Sequence, residues 1–466
     1  MDVSLDAAFK RAYDATVARK FSVAEDIYTQ ILNAYPDNEI AMFGMGNVTA
    51  GQGHYGVSVN WFRRSVEQQP SNITALMNLA PVLRRCGQVE KAIDVCKMVA
   101  ERLKTSTLPE EQKSRYSFDN LVNLGGCHIN YGMPEKALEL CDQALALEPG
   151  SPTVLNHRGL ALLEMGRWEE GFKDWEGRLE RPEFATRPYP VPYWDGNPTD
   201  CLVIHGEQGV GDEVMFASCV EEAKKVCRQV VIECESRLVP IFARSFGVPC
   251  YANEHALWKD WAGKLTAKVP FGSLMKHFRP SPESCPREPY IQARPDLVAH
   301  FKQRLQGLGK GKKIGLTWQG GNMMTHTELR SVPLHALAPI LNTEHTFVSL
   351  QYGPGVQMEA EMAGVHHWQT AIDDFERHFA LIASLDLVIS VTQSVVHFAG
   401  AMGQEVWCLT PSKPRWSDGR EGNEPFYQNV VSFRQQGRDW GAVIREMAGR
   451  LSTQAPVIDF PLVRSA

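Results

Sequence analysis

His205-Gly-Glu-Gln-Gly-Val-Gly-Asp212 is the stretch on which the fold of the second part of this chain turns. An apolar run, Cys201-Leu-Val-Ile204, comes before it. After it, Val214, Met215, Ala217, Cys219, Val220 and Ala223 recur at helical spacing. The pattern is strand, glycine-rich turn, helix. Gly206, Gly209 and Gly211 let the backbone turn sharply and approach a ligand closely. Asp212 stands at or near the helix start, where a carboxylate accepts backbone N–H bonds and meets the positive end of the dipole. The plain reading is a strand-to-helix turn with a capping aspartate. The glycine order is reversed from the dinucleotide fingerprint, and the Lys-Ser/Thr of a phosphate-binding P-loop is missing.

The surrounding chain sets the class. Its 466 residues call for two or three domains. An apolar fraction of 44% and a charged fraction of 22% are those of a soluble globular protein. A net charge of −6 argues against a nucleic-acid partner, which calls for a basic face. The first residues read as an amphipathic helix rather than a signal peptide, and no apolar run is long enough to span a membrane. The 11 cysteines are scattered without a Cys-x-x-Cys pair, as expected of reduced thiols in a cytoplasmic protein.

Upstream of the turn the sequence repeats. Pro36 and Pro70 are about 34 residues apart and each closes an apolar helix. In that phase Ala12 aligns with Gly46, Ala24 with Ser58 and Tyr28 with Phe62; Ala80, Gly87 and Ala92 continue it. Residues 104–117, polar and containing Pro109, read as a break, either a longer inter-repeat loop or an interaction loop. The phase resumes at Gly125, Gly132, Ala137, Cys141 and Pro149, and a fifth unit carries Gly159, Gly166, Gly171 and Trp175. Small residues let paired helices cross closely, and proline ends the second helix. This resembles the tetratricopeptide repeat, without its signature early Trp, in about five units that predict an α-solenoid over residues 1–186. Concave solenoid faces usually bind a peptide or protein; the competing reading is an all-α spacer.

Downstream, residues 187–200 are rich in Pro, Tyr and Trp and read as a linker packed on a neighbour. Strand and helix then alternate. Strands are expected at 201–205, 230–234, 267–271, 313–318, 346–350, 386–391 and 405–409. Helices are expected at 214–226, 238–246, 335–341, 375–384 and 394–402. A proline-rich stretch at 280–295 divides two α/β halves, 187–295 and 296–466, each large enough for a small doubly wound sheet. Such sheets bind ligands beyond the carboxyl ends of their strands. The candidate ligand residues are therefore Glu207, Gln208, Gly209, Gly211 and Asp212 in the first half. In the second half they are Trp318, Gln319, Gly320, Asn322, Arg330, Gln351, Thr392, Gln393, Ser394 and His397. Arg330 is suited to neutralising phosphate, and the helix starting at Ser394 offers amides to an anion. For His397 the alternative is a packing role.

Taken together, the motifs resemble a GT-B glycosyltransferase, two Rossmann-like lobes across a cleft. More closely, they resemble the heptosyltransferase-like domains (glycosyltransferase family 9-like) that follow tetratricopeptide repeats in many bacterial proteins. The stretches that carry the resemblance are Trp194-Asp-Gly196, the 205–212 turn, Gly315-Leu-Thr-Trp-Gln-Gly-Gly-Asn322 and Arg330-Ser-Val-Pro-Leu334. Phe347-Val-Ser-Leu-Gln351, Asp373-Asp-Phe375, Leu385-Asp-Leu-Val-Ile-Ser-Val391, His397-Phe-Ala-Gly-Ala-Met-Gly403 and Ser432-Phe-Arg-Gln435 follow in order. Protein O-GlcNAc transferases share the layout more distantly. The resemblance implies a sugar moved from a nucleotide-sugar donor, held by the second lobe, to an acceptor held by the first, without metal or cofactor. Asp212 matches the family's general base, with His397 retained nearby. The acceptor is expected to be a protein recruited by the repeats. One position departs from the pattern: where the family has Asp-Thr or Asp-Ser, this chain has Thr392-Gln393. That departure supports the alternative of a non-catalytic repeat scaffold with a degenerate module. A dinucleotide-dependent enzyme is disfavoured by the glycine order.

Overall fold

The computed structural model describes residues 4–452, apart from 182–186, 188, 253, 286, 322–326, 420–421, 423 and 438. The chain divides into two compact units, Met1–Leu162 and Leu163–Ala466.

The first unit is a run of helix pairs: α1 (Leu5–Val17) with α2 (Phe21–Ala34), α3 (Glu39–Gly51) with α4 (Tyr55–Gln68), α5 (Ile73–Arg85) with α6 (Val89–Thr105), and α7 (Glu110–Asn130) with α8 (Pro134–Leu147). The repeat shows in the capping chemistry. Ser4, Asn38 and Asn72 stand at the same phase, and each side chain accepts the backbone N–H three residues on, from Ala7, Ala41 and Ala75. Gly53, Gly87 and Gly132 turn each pair in the left-handed region, at φ of 83°, 73° and 75°. In the first pair Arg19 takes that position at φ 56°, which hides the first unit from a glycine search. The small residues in the helices have a direct cause. A Cβ on Gly44 would lie 2.2 Å from the Tyr28 ring, and one on Gly46 2.6 Å from the Phe62 ring. The expected break at 104–117 is not a loop. Only residues 106–109 leave the helical path, and the extra residues lengthen α6 to 17 and α7 to 21 residues. Polarity alone misled there: Pro109 starts α7, and Glu110 and Glu111 favour its first turn.

α9 (Pro152–Glu164) crosses the boundary between the units. The second unit then opens with α10 (Trp168–Trp175) and a 3₁₀ turn, Glu176–Glu180. The unit boundary thus falls inside the fifth helix pair, before the end of the repeat pattern near residue 186.

The second unit holds two parallel sheets. The first has the order β3-β2-β1-β4, from β1 (Cys201–His205), β2 (Gln229–Glu233), β3 (Cys250–Tyr251) and β4 (Ala267–Pro270). Its connections carry α11 (Val210–Phe216), α12 (Val220–Val226), α13 (Val239–Phe246) and α14 (Glu254–Trp261); α15 (Leu274–Phe278) and α16 (Pro295–Gln306) follow β4. The second sheet has the order β6-β5-β7-β8-β9, from β5 (Lys313–Leu316), β6 (Thr346–Ser349), β7 (Leu387–Val391), β8 (Val406–Thr410) and β9 (Val430–Arg434). Its helices are α17 (Ala338–Leu341), α18 (Val356–Met362), α19 (Gln369–Ile372), α20 (Phe375–Ile382), α21 (Ser394–Ala401) and α22 (Gly441–Ser452).

In each sheet the first strand lies between its successors. β1 pairs β2 and β4, and β5 pairs β6 and β7, so both sheets have a crevice at the carboxyl end of the first strand. The strands β1, β6, β7 and β8 are buried throughout, as parallel strands covered on both faces should be. The edge strands β3 and β9 lie outside the expected set; β3 is only two residues long. The helix expected at 214–226 starts earlier, at Val210, and a 3₁₀ turn at Ala217–Cys219 splits it. The 187–200 linker runs beside β4, where Trp194 N–H donates to Lys268 O at 2.8 Å and Lys268 N–H to Pro192 O at 2.9 Å.

Candidate functional site

The turn after β1 and the turn after β7 meet. A Cβ on Gly211 would lie 3.0 Å from Ser394 Oγ and 3.1 Å from its Cα, so α11 and α21 touch at their starts through a residue that must be small. Gly209 is the N-cap residue of α11, and Asp212 lies in the first turn, where its carboxylate accepts a bond from the Gly209 backbone N–H. Burial pushes the Asp212 carboxyl above its ordinary pKa, while Arg415, the Gly209 amide and Arg330 pull it back. Both arginines come from the second-sheet half, so Asp212 reaches across to their charges.

Glu207 does not face a ligand. It accepts two bonds from buried Arg178, at 2.8 and 2.9 Å, and one from Gly272 N–H at 2.9 Å. Gln208 is half-buried, and its Nε2 is enclosed without a hydrogen-bond partner among the described residues.

The turn after β5 is built by backbone proximity. A Cβ on Gly320 would meet Arg330 O and Thr392 O, each at 2.9 Å, so three loops converge on a position without a side chain. Two expected ligand residues are used internally. Trp318 is fully buried in the core, and its indole N–H donates to Glu359 at 3.0 Å. Gln351 accepts from the Trp318 and Gln319 amides at 3.1 and 3.0 Å and donates to Tyr352 O, which leaves its amide holding the turn rather than free for a ligand. Gln319 is exposed and approaches Glu359. Asn322 lies outside the described residues.

Arg330 is buried, and its guanidinium donates to Thr392 Oγ1 at 3.0 Å and to Thr392 O. Burial, with the like charge of Arg415, lowers its pKa to about 10; Asp418 and Asp212 offset part of that. Thr392 therefore does not cap α21. The cap position belongs to Gln393, which makes no capping bond. Gln393 is 4% exposed, and neither its Oε1 nor its Nε2 has a partner among the described residues.

Gln393 lines a small cavity with Thr392, His397, Cys408, Thr410, Arg415, Asp418, Glu424 and Ser432. Arg415 and Asp418 form a paired turn: Arg415 N–H donates to Asp418 at 3.0 Å and its guanidinium approaches the same carboxylate at 3.3 Å. Burial disfavours both charges, but each stabilises the other, and the arginine is held above and the aspartate below its ordinary pKa. Glu424 accepts from the Phe426 and Tyr427 amides at 3.0 and 2.9 Å, and burial, with Asp418 nearby, raises its carboxyl pKa well above the usual range. Arg415 Nε and Glu424 Oε1 are, like the Gln393 amide, enclosed and without a hydrogen-bond partner among the described residues. Buried polar atoms are nearly always bonded, so several orphans around one cavity mark a place where a polar ligand or water completes them.

His397 is brought to the same cavity, 4% exposed, with Nδ1 3.3 Å from the Tyr427 hydroxyl. Burial and the charge of Arg415 drive its pKa down to about 3, so the ring is neutral at ordinary pH and does not serve as a proton donor. The structure thus unites Asp212, Gly211, Arg330, Thr392, Gln393, Ser394 and His397, and turns Trp318 and Gln351 inward. Sequence reasoning missed Arg415, Asp418 and Glu424. The first of these was within reach, because Pro411-Ser-Lys-Pro-Arg415 directly follows β8 and obeys the same after-strand rule. Among the described residues, no cluster of His, Cys, Asp and Glu is placed to hold a metal ion, and no helix is long and apolar enough to cross a membrane.

Comparison with known proteins gives partial bearings. No family model matches the chain. Protein FlbA of Caulobacter vibrioides is 28% identical, over 87% of this chain and 77% of its own length. Solved structures with similarity include MamA, at 19% identity and a TM-score of 0.31, covering 39% of this chain and 96% of that one. YrrB, described as a TPR protein with an unusual peptide-binding site, is 18% identical at a TM-score of 0.30, covering 37% of this chain and 84% of its own. The helical-repeat character of the first unit rests on its own helix pairs, caps and turn glycines.

Proposed function

We propose that this protein is a glycosyltransferase of the GT-B type, moving a sugar from a nucleotide-sugar donor to a protein acceptor recruited by its helical repeats. The observation that carries the reading is the cluster of buried, unpartnered donors and acceptors around Gln393 and Arg415, beside Arg330 and within the electrostatic reach of Asp212. On this reading Arg330, Arg415 and the amides at the start of α21 take the donor diphosphate. As the bond between sugar and diphosphate breaks, they stabilise the charge left on the leaving oxygen. Asp212 removes the proton from the acceptor hydroxyl. Its burial raises its basicity, against the opposing pull of the two arginines, which suits a general base. The repeats supply the acceptor, since concave helical-repeat faces commonly bind peptides.

Thr392 favours a second reading, a scaffold that binds nucleotide without turnover, because the residue beside Arg330 is a hydroxyl where the resembled family has a carboxylate. Asp212→Asn separates the two. Asparagine keeps the local hydrogen bonding but does not take a proton. The first reading expects normal binding of nucleoside diphosphates and turnover lower by about 10²–10⁴-fold. Transfer at the wild-type rate by that variant refutes the role of Asp212. A wild type that binds nucleoside diphosphate but releases none from any nucleotide sugar supports the scaffold.

A further inference from the structure

The helix α10 carries three large aromatic residues, Trp168, Phe172 and Trp175, all buried. They meet the site rather than solvent. Trp168 stacks on Phe426 with ring centres 5.6 Å apart and stands edge-on to Trp416 at 5.7 Å. Phe172 and Trp175 reach Trp416 at 5.5 and 6.3 Å. Phe216 of α11, one helical turn from Asp212, completes the box, 5.9 Å from Trp175 and stacked on Trp416 at 6.4 Å.

Trp416 and Phe426 tie this box to the site. Trp416 follows Arg415 and begins the 3₁₀ turn Trp416–Asp418 that pairs Asp418 with Arg415. The Phe426 backbone N–H is one of the two donors that hold Glu424. The last helix of the repeat pattern therefore grips the loop that carries Arg415 and Glu424, and the helix that carries Asp212. Aromatic side chains hold few rotamers and pack with defined geometry, so such a box fixes a loop that has no strand or long helix of its own.

We propose that Trp168 is a positioning residue for Arg415, acting through Trp416. In its binding arm the proposal rests on the reading of Arg415 as an anion-binding group. The test compares Trp168→Leu, which keeps apolar bulk but loses the ring, with Trp168→Phe, in the full chain. Two quantities are read: amide hydrogen exchange over residues 415–419, and the Kd for inorganic pyrophosphate. In the Leu variant, exchange at Arg415 and Asp418 rises about tenfold while β5 and β8 amides keep their protection. The pyrophosphate Kd rises about tenfold as the charged donors of Arg415 lose their alignment. The Phe variant restores both to within about twofold, because the ring contacts return. A folded Leu variant with wild-type exchange over 415–419 overturns the proposal. If the Leu variant does not fold, Trp416→Leu, at a half-buried position, asks the same question of the same amides, and unchanged exchange there also overturns it. Failure of the wild type to bind pyrophosphate removes the anion reading alone, because the exchange arm still decides the positioning role.

Discussion

Arg330→Met is the substitution whose two effects point in opposite directions. A buried cation costs folding energy, and its size follows from the chemistry of Arg330. Its pKa falls from the ordinary arginine value to about 10, with burial as the main cause. At about 1.4 kcal/mol per tenfold change, the folded state holds the charged form about 3 kcal/mol less favourably than the unfolded chain does. Both states are charged at neutral pH, so the penalty is constant through the accessible range. Against it stand the bonds to Thr392, each worth about 1.5–3 kcal/mol when the donor is charged. At the lower end of that range the two bonds together cancel the penalty. Methionine fills much of the same space, needs no partner and leaves the Thr392 carbonyl unpaired. The unliganded melting point should therefore move by no more than about 2–4 °C, in either direction. Binding of a nucleoside diphosphate should weaken by about 2 kcal/mol or more, at least about 30-fold, because a desolvated charge partner of the phosphate is gone. Differential scanning calorimetry and isothermal titration on the same preparations measure both. A melting point lowered by ten degrees with unchanged affinity would mean that Arg330 is a structural tie for the Thr392 loop, and the donor assignment would fall.

Two further expectations follow from contacts elsewhere in the site. Gly211→Ala places a methyl group 3.0–3.2 Å from Ser394, so the starts of α11 and α21 must part by a few tenths of an ångström; stability should fall by about 1–3 kcal/mol in chemical denaturation, and unchanged stability would show that the two halves are not in contact there. Glu213, buried, has its pKa raised to about 7, and a raised carboxyl pKa means that its contribution is full below about 4.5 and is lost as pH rises toward 7. Glu213→Gln should therefore become more stable relative to wild type between pH 4.5 and 7, by at most about 3 kcal/mol; a difference that is flat with pH would place the Glu213 carboxyl in a solvated setting.

How much of this was legible depends on what each residue contacts. β1 and its glycine turn could be read directly, because a short apolar run followed by glycines and a helical period admits few alternatives. The solenoid was legible because packing repeats: the aromatic rings of Tyr28 and Phe62 leave no room for a Cβ at Gly44 and Gly46, and the sequence records that. Position after a strand, by contrast, says that a side chain is near the crevice but not which way it turns. Gln351 and Gln393 both satisfy the rule. One turns back to hold the amides of Trp318 and Gln319, while the other is left enclosed and unpartnered. Glu207 reads as a candidate ligand residue because its partner, Arg178, is distant in sequence and lies in what reads as a repeat. Arg415, Asp418 and Glu424 sit in irregular backbone without a period, where hydrophobic pattern carries no information.

Charge balance suggests what the hydroxyl of Thr392 does to the proposed chemistry. Around the cavity Arg330 and Arg415 are the basic groups, and Asp418 and Asp212 are the acidic ones; burial raises the Glu424 carboxyl pKa well above the usual range. A carboxylate at position 392, one bond from Arg330, would neutralise that guanidinium and leave less positive charge for a diphosphate. With threonine there, Arg330 keeps its charge for an anion, at the folding cost already described. The same exchange removes a negative group from the neighbourhood of a sugar that gains positive character as it leaves the diphosphate. On the proposed reading, threonine at position 392 therefore pulls binding and turnover apart: the donor's phosphates would be held more firmly, and the transition state at the sugar would be stabilised less. An enzyme built this way would show tight nucleotide binding and slow transfer, and the scaffold is its limit as the rate approaches zero.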